Sequence, residues 1–340
     1  MRRGDDDRAE TVDRGRFPDA RTPWDDPDHR AEALDWATGR LAAHGLRESG
    51  PRQVRLRPWS VLVRFFVAGG HGARPVWFKA VPPAAVFEAG LAAALADWVP
   101  DHVLSPLAVH AERGWCLLPD GGPLFRQVLD EGAGTPADWE EALRSYALMQ
   151  RALVPYAERV ADLGVPSARP PELPGLFDTL VAENTALDRE ERVALEALRP
   201  RLVEWCEELA AVGVAESLDH ADLHDGQLFR PAAGRFTFFD WGDAMVGHPF
   251  SSLLVPARSA GDRFGSQVLT RLRDAYLEPW TGDGIAAGDL RRAVSLAWRL
   301  AALGRAASWG RMFPAPGAAA APGGTDSAHW LRELHTEPPR

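Results

Sequence analysis

A chain of 340 residues, 46% hydrophobic and 25% charged, holds enough apolar material for about two domains. Its 38 basic and 48 acidic side chains give a formal charge of −10, which argues against a nucleic-acid groove. No apolar run approaches the ~18 residues of a membrane span, Met1–Glu10 lacks an apolar signal core, and Cys116 and Cys206 show neither a disulfide framework nor metal spacing. The expectation is a cytoplasmic protein with buried free thiols and no membrane or nucleic-acid partner.

Residues 1–28 are rich in Asp, Arg, Pro and Gly without a period, and read as a disordered or loosely held leader. Asp28 can cap a helix through Leu34, Trp36 and Leu41 to His44. Strands are expected from Gln53 to Pro58 and from Val61 to Ala68, joined by Arg57-Pro58-Trp59-Ser60. After a turn at Gly69-Gly70-His71-Gly72, a third strand runs from Pro75 to Val81 and places Trp77, Lys79 and Val81 on one face. A helix over about 84–97 and short strands near 103–110 and 114–119 complete an α+β region.

Beyond Gly122 the pattern turns helical. Thr135 to Leu153 has helical spacing, and further helices are expected near 176–186, 189–212, 263–277 and 288–309. The stretch 218–240 is extended and carries most of the polar chemistry. Residues 314–324 read as linker, and Asp326 to Leu334 as a last helix. The domains expected are therefore a leader over 1–28, a β-rich region over 29–120, a mainly helical region over 121–313 and a tail over 314–340. From Glu172 to Glu216 there are eleven acids against four arginines, which fits solvated helix faces or an acidic wall for a cationic substrate.

Lys79 is the single lysine, Asn184 the single asparagine and Ile285 the single isoleucine. All three need A- or T-rich codons, so the composition fits drift toward GC. Arginine replaces a generic surface charge but not a compact ammonium at a tight site. A surviving lysine therefore points to such a site.

The key segment is His220-Ala221-Asp222-Leu223-His224-Asp225-Gly226-Gln227, followed by Phe238-Phe239-Asp240-Trp241-Gly242-Asp243. A kinase catalytic loop has the form H-x-D-L, with an amide five residues after the aspartate and a second aspartate delivered by a strand into a D-x-G turn. Gln227 stands five residues after Asp222 and Asp240 eighteen, leaving room for a hairpin turning at Ala232-Ala233-Gly234. Asp222 suits the acceptor of a hydroxyl proton. Asp240, supported by the Gln227 oxygen, suits Mg²⁺. His220 reads as a residue that holds the loop, Gly242 as the glycine of the sharp turn, and Asp243 as a cap on it; His224 and Asp225 stay open.

These segments resemble the HGDLHxxN and DWGD motifs of the aminoglycoside phosphotransferase-like kinases, which include choline kinases. The resemblance covers about residues 30–312 and is strongest over 218–250. It implies a bilobal protein-kinase-like fold of class α+β, with a small β-rich N-terminal lobe holding one key helix and a larger helical C-terminal lobe. It also implies ATP and Mg²⁺ as cofactors and a small-molecule hydroxyl as acceptor. Lys79 then resembles the lysine that holds the α- and β-phosphates, with Glu88 its partner on the next helix, and Leu117-Leu118-Pro119-Asp120 resembles the adenine hinge.

Two departures stand out. Gln227 occupies the usual asparagine position, and no glycine-rich phosphate loop is present; Ser60, in its place, can offer its N–H and hydroxyl to a phosphate, though a plain turn fits as well. A pseudokinase that binds nucleotide without turnover is the alternative these departures leave. A metallohydrolase binding Zn²⁺ through His220, Asp222 and His224 is a second. The acidic segment leans toward an amine-bearing acceptor. The oligomeric state is not legible.

Overall fold

The computed structural model describes residues 10–69, 72–282, 284–314 and 324–339. The chain divides into two compact units. The first comprises, within the described residues, 10–93, 104–120 and 311–314; the second comprises 94–103, 121–310 and 324–339.

The first unit is built on a seven-stranded sheet. Its elements are β1 (Glu10–Asp13), α1 (Pro27–Ala43), β2 (Arg47–Glu48), β3 (Arg52–Arg57), β4 (Ser60–Gly69), β5 (Gly72–Ala80), the start of α2 (Phe87–Trp98), β6 (Ala108–His110) and β7 (Trp115–Pro119). The strand order is β1-β3-β4-β5-β7-β6, with β2 on β4. Alternation explains the inward set: Val54 and Leu56 on β3, Val61, Val63, Phe65 and Val67 on β4, and Val76 and Phe78 on β5 are all buried. Helix α1 covers this face with Ala33, Ala37 and Leu41.

Three expectations are corrected here. The leader expected over 1–28 is structured from residue 10: β1 pairs in parallel with β3, Arg57 bonds Asp13 at 2.8 Å, and Trp24 is buried in the sheet core. A charged strand whose partner lies some forty residues away has no local pattern to reveal it; residues 1–9 lie outside the described residues. Helix α1 is capped by Asp26, which accepts from the Asp28 N–H at 3.0 Å, because Pro27 suits the first helical position. Phe313, expected at the end of the helical region, packs in the sheet core, and its N–H donates to the Pro58 carbonyl at 2.7 Å.

The second unit contains α3 (Phe125–Asp130), α4 (Pro136–Leu153), α5 (Ala157–Asp162), β8 (Ser167–Ala168), α6 (Leu173–Glu183), α7 (Arg189–Ala211), β9 (Ser217–Asp219), β10 (Leu228–Ala232), β11 (Arg235–Phe238), β12 (Met245–Gly247), α8 (Leu254–Phe264), α9 (Leu269–Leu277), α10 (Ala287–Ser308) and α11 (Gly324–Arg332). The strands are short: β10 and β11 form a hairpin, and β12 lies between β8 and β9. The single helix expected over 263–277 is two helices, because Gly265, at φ 86°, ends α8. Buried Trp139, Leu143 and Tyr146 on α4, and Leu296, Leu300 and Leu303 on α10, line the core. Neither cysteine forms a disulfide, and both are buried. Among the described residues, no helix is long and apolar enough to cross a membrane.

Candidate active site

In the sheet unit, Lys79 lies on β5 between Leu62 of β4 and Cys116 of β7. The residue is 6% exposed overall, and Nζ donates to Glu88 Oε1 at 2.5 Å. Glu88, in the first turn of α2, is 5% exposed. A buried lysine is tolerated only with such a carboxylate beside it. Ser60 is buried where β4 opens, opposite Arg57. Trp77 Nε1 donates to Asp120 at 3.0 Å at the end of β7.

In the helical unit, β9 leads into the loop that carries His220 to Gln227. Ala221 takes a left-handed backbone, φ 59°, which an alanine adopts only when its surroundings hold it. The hold is a buried polar network. Asp219 Oδ1 accepts from the Ala221 N–H at 2.8 Å and from Ser252 Oγ at 2.6 Å. Tyr146 OH accepts from the His220 N–H at 3.0 Å, and Gln150 Nε2 donates to the carbonyls of Leu218 and Pro249. Burial pushes the Asp219 carboxyl up to about 6.

His220 is fully buried; its Nε2 donates to the Phe239 carbonyl at 2.9 Å, and its ring packs against Trp241 at 4.7 Å. His224 Nδ1 accepts from the Gly226 N–H at 2.9 Å and from Arg126 at 3.0 Å. A guanidinium can only donate, so the neutral ring carries its proton on Nε2, which lies 3.8 Å from Asp222 Oδ2. Burial, with Arg126 beside it, lowers His224 to about 4. Asp225 pairs with Arg126 at 2.6 Å. The Phe239 carbonyl takes the His220 Nε2 that a zinc site on His220, Asp222 and His224 would require, and among the described residues no three His, Cys, Asp or Glu side chains form a metal-holding group. The metallohydrolase expectation is therefore corrected.

The hairpin of β10 and β11, with Gly234 at φ 70° in its turn, delivers Asp240. The left-handed residue of the following turn is Asp240 itself, φ 69°, whereas Gly242 lies within the 3₁₀ turn Trp241–Asp243. The expectation that Gly242 makes the sharp turn is thus corrected: aspartate tolerates this conformation. Burial raises the Asp222 carboxyl; Arg305 opposes this, while Asp243 and Asp240 add to it, and the Gln227 side chain hydrogen-bonds to Asp222.

Sequence reading missed Arg305. It lies on α10, ion-paired with Asp222 Oδ1 at 2.9 Å and bonded to Asp243 Oδ2 at 3.1 Å. A charge within the apolar run Ala301-Ala302-Leu303-Gly304-Arg305-Ala306 was the available signal. In the acidic segment 172–216, five of the eleven acids, Asp178, Glu191, Glu204, Glu208 and Glu216, each pair with an arginine.

A sheet-rich unit with a buried lysine–glutamate pair and a mainly helical unit carrying this loop and hairpin match a bilobal kinase-like fold, that of the small-molecule kinases of the aminoglycoside phosphotransferase and choline kinase superfamily. The chain belongs to the phosphotransferase enzyme family, whose model matches residues 64–289. It is a phosphotransferase that acts on a small molecule. No curated protein matches it. Among solved structures, the macrolide 2′-phosphotransferase of Brachybacterium faecium superposes with a TM-score of 0.56 at 19% identity, over 91% of this chain and 100% of that one. An ethanolamine kinase of Plasmodium vivax gives 0.55 at 13% identity, over 86% and 78%. A choline/ethanolamine kinase family protein of Mesorhizobium loti gives 0.54 at 18% identity, over 82% and 85%. At these identities the likeness is one of fold.

Proposed function

We propose that the chain transfers the γ-phosphate of ATP to a hydroxyl group of a small molecule with the aid of Mg²⁺. The observation that carries this reading is the Asp222 carboxylate: Arg305 holds Oδ1, and Oδ2 faces a neutral imidazole. On this reading Oδ2 receives the acceptor hydroxyl, orients its oxygen toward the phosphorus and takes its proton late in the transfer. His224, with its proton on Nε2, is a donor there and does not compete as the base.

The donor chemistry near Asp240 fits magnesium. Mg²⁺ takes one or two protein carboxylates and keeps several waters. Arg305 supplies one positive charge to a group of three carboxylates, Asp222, Asp240 and Asp243, two of which it contacts. Asp240 and the side-chain oxygen of Gln227 would hold the ion, while the Gln227 amide N–H faces Asp222. Bound there, the metal would offset charge on the phosphates. Lys79, held by Glu88, would bind the α- and β-phosphates, and the Ser60 N–H and hydroxyl would lie beside them. His220, Gly242 and Asp243 would support the loop and turn.

The acceptor class is set by the hydroxyl, and five of the eleven acids of 172–216 are engaged by arginines. The test is ATP consumption with Mg²⁺ against aminoglycosides, macrolides, choline-like amines, amino alcohols and nucleosides. One hydroxyl-bearing class should be phosphorylated, and Asp222→Asn should lower kcat by about 10²–10⁴-fold with ATP affinity kept. Nucleotide binding without turnover of any acceptor would replace this reading by the pseudokinase one.

A further inference from the structure

Arg305 lies beyond residues 64–289, the part of the chain that the family model matches. It sits in the buried run of α10, with Leu303, Gly304 and Ala306 as neighbours, and is 7% exposed. Placing a guanidinium there is costly unless its N–H groups meet acceptors. They meet two, and from different segments: Asp222 in the loop after β9, and Asp243 in the turn after β11. Gly304 packs close to the chain just past that turn. A Cβ at that position would stand 3.2 Å from Met245 Sδ, two residues past Asp243. The Trp330 ring of α11 lies over the guanidinium, 5.4 Å from its carbon.

We propose that Arg305 is a positioning residue for the transfer: it ties Oδ1 of Asp222 to the Asp243 turn, so that Oδ2 is the oxygen presented to the acceptor. The inference rests on the reading of Asp222 given above. An arginine fork fixes the separation of two carboxylates, which a single ammonium does not. Arg305 is thus distinguished from the exposed arginines of the same helix, such as Arg292, which pairs with Glu208 at the surface.

The experiment compares Arg305→Lys, Arg305→Met, Arg305→Ala and Arg292→Gln, using the acceptor found in the screen and ATP affinity measured by calorimetry with Mg²⁺. Arg305→Met should lower kcat by about 100-fold and Arg305→Lys by about tenfold, with ATP affinity kept within about threefold. Millimolar guanidinium should restore part of the Arg305→Ala turnover and leave wild type unchanged. Arg292→Gln should match wild type. Turnover retained in Arg305→Lys and Arg305→Met, or turnover and ATP affinity lost together, overturns the proposal. If Arg305→Met does not fold, Arg305→Lys decides it. If wild type turns over no acceptor, the functional reading fails separately, and the clamp is judged from Tm values. Asp222→Asn and Arg305→Lys should then be non-additive, and additive effects overturn it.

Discussion

Lys79 shows what one side chain can report. It is buried against Glu88 in a chain whose other basic residues are all arginine. Acyl-phosphate analogues of ATP should acylate Lys79 and no other side-chain amine, with excess ATP and Mg²⁺ protecting it; peptide mass spectrometry reads the result. Lys79→Arg keeps the charge but widens the head group, and should cost at least about tenfold in kcat/KM for ATP, or ~1.4 kcal/mol. Unprotected labelling with a fully active arginine variant would remove Lys79 from the nucleotide site. Ala221 makes a second case. Its left-handed backbone is paid for by the Asp219 network, so Ala221→Gly should raise stability by about 0.5–1 kcal/mol after the entropy of glycine is counted. Denaturant melts with an unchanged slope would establish this; a loss of stability would mean that the Ala221 methyl group contributes more packing energy than the strain costs.

Among the elements, the segment after α10 carries more weight than its composition suggests. Phe313 fills the sheet core, and its N–H bonds the turn between β3 and β4. Phe313→Ala should destabilise the sheet unit by about 3–4 kcal/mol through the transfer and cavity terms. Urea unfolding followed by the fluorescence of the sheet tryptophans tests it; a change under about 1 kcal/mol would show that the core collapses around the gap. Helix α11 brings Trp330 to Arg305, so an element outside the matched family residues stands against the arginine that contacts Asp222.

For the molecule as a whole, a nucleotide that binds only the folded chain must stabilise it. At about one hundred times its Kd, ATP with Mg²⁺ should add ~2.7 kcal/mol, a Tm rise of about 4 °C, and chelation should remove most of it. Scanning calorimetry with ATP, ATP plus Mg²⁺, and ATP plus chelator reads this directly. An equal rise in all three would argue against the metal role proposed for Asp240 and Gln227. Surface arginine–carboxylate pairs such as Arg199–Asp178 should contribute little to Tm, since exposed pairs are worth about 0–1 kcal/mol.

The sequence by itself determined the class. The spacing of Asp222, Gln227 and Asp240, and the alternation around Lys79, are local patterns, and local patterns survive in a linear reading. The hairpin with Gly234 at its turn was legible for the same reason, and helix α4 because its apolar period runs unbroken for five turns. What the tertiary structure alone decided are contacts between distant segments: β1 on β3, Phe313 in the sheet core, and Arg305 on Asp222 and Asp243. Each joins residues whose own neighbours carry no sign of the partner. A charged strand, a phenylalanine beside a linker and an arginine in an apolar helix acquire their meaning only when the chain closes on itself, because their free energy lies in the partner each one meets and not in the segment it belongs to.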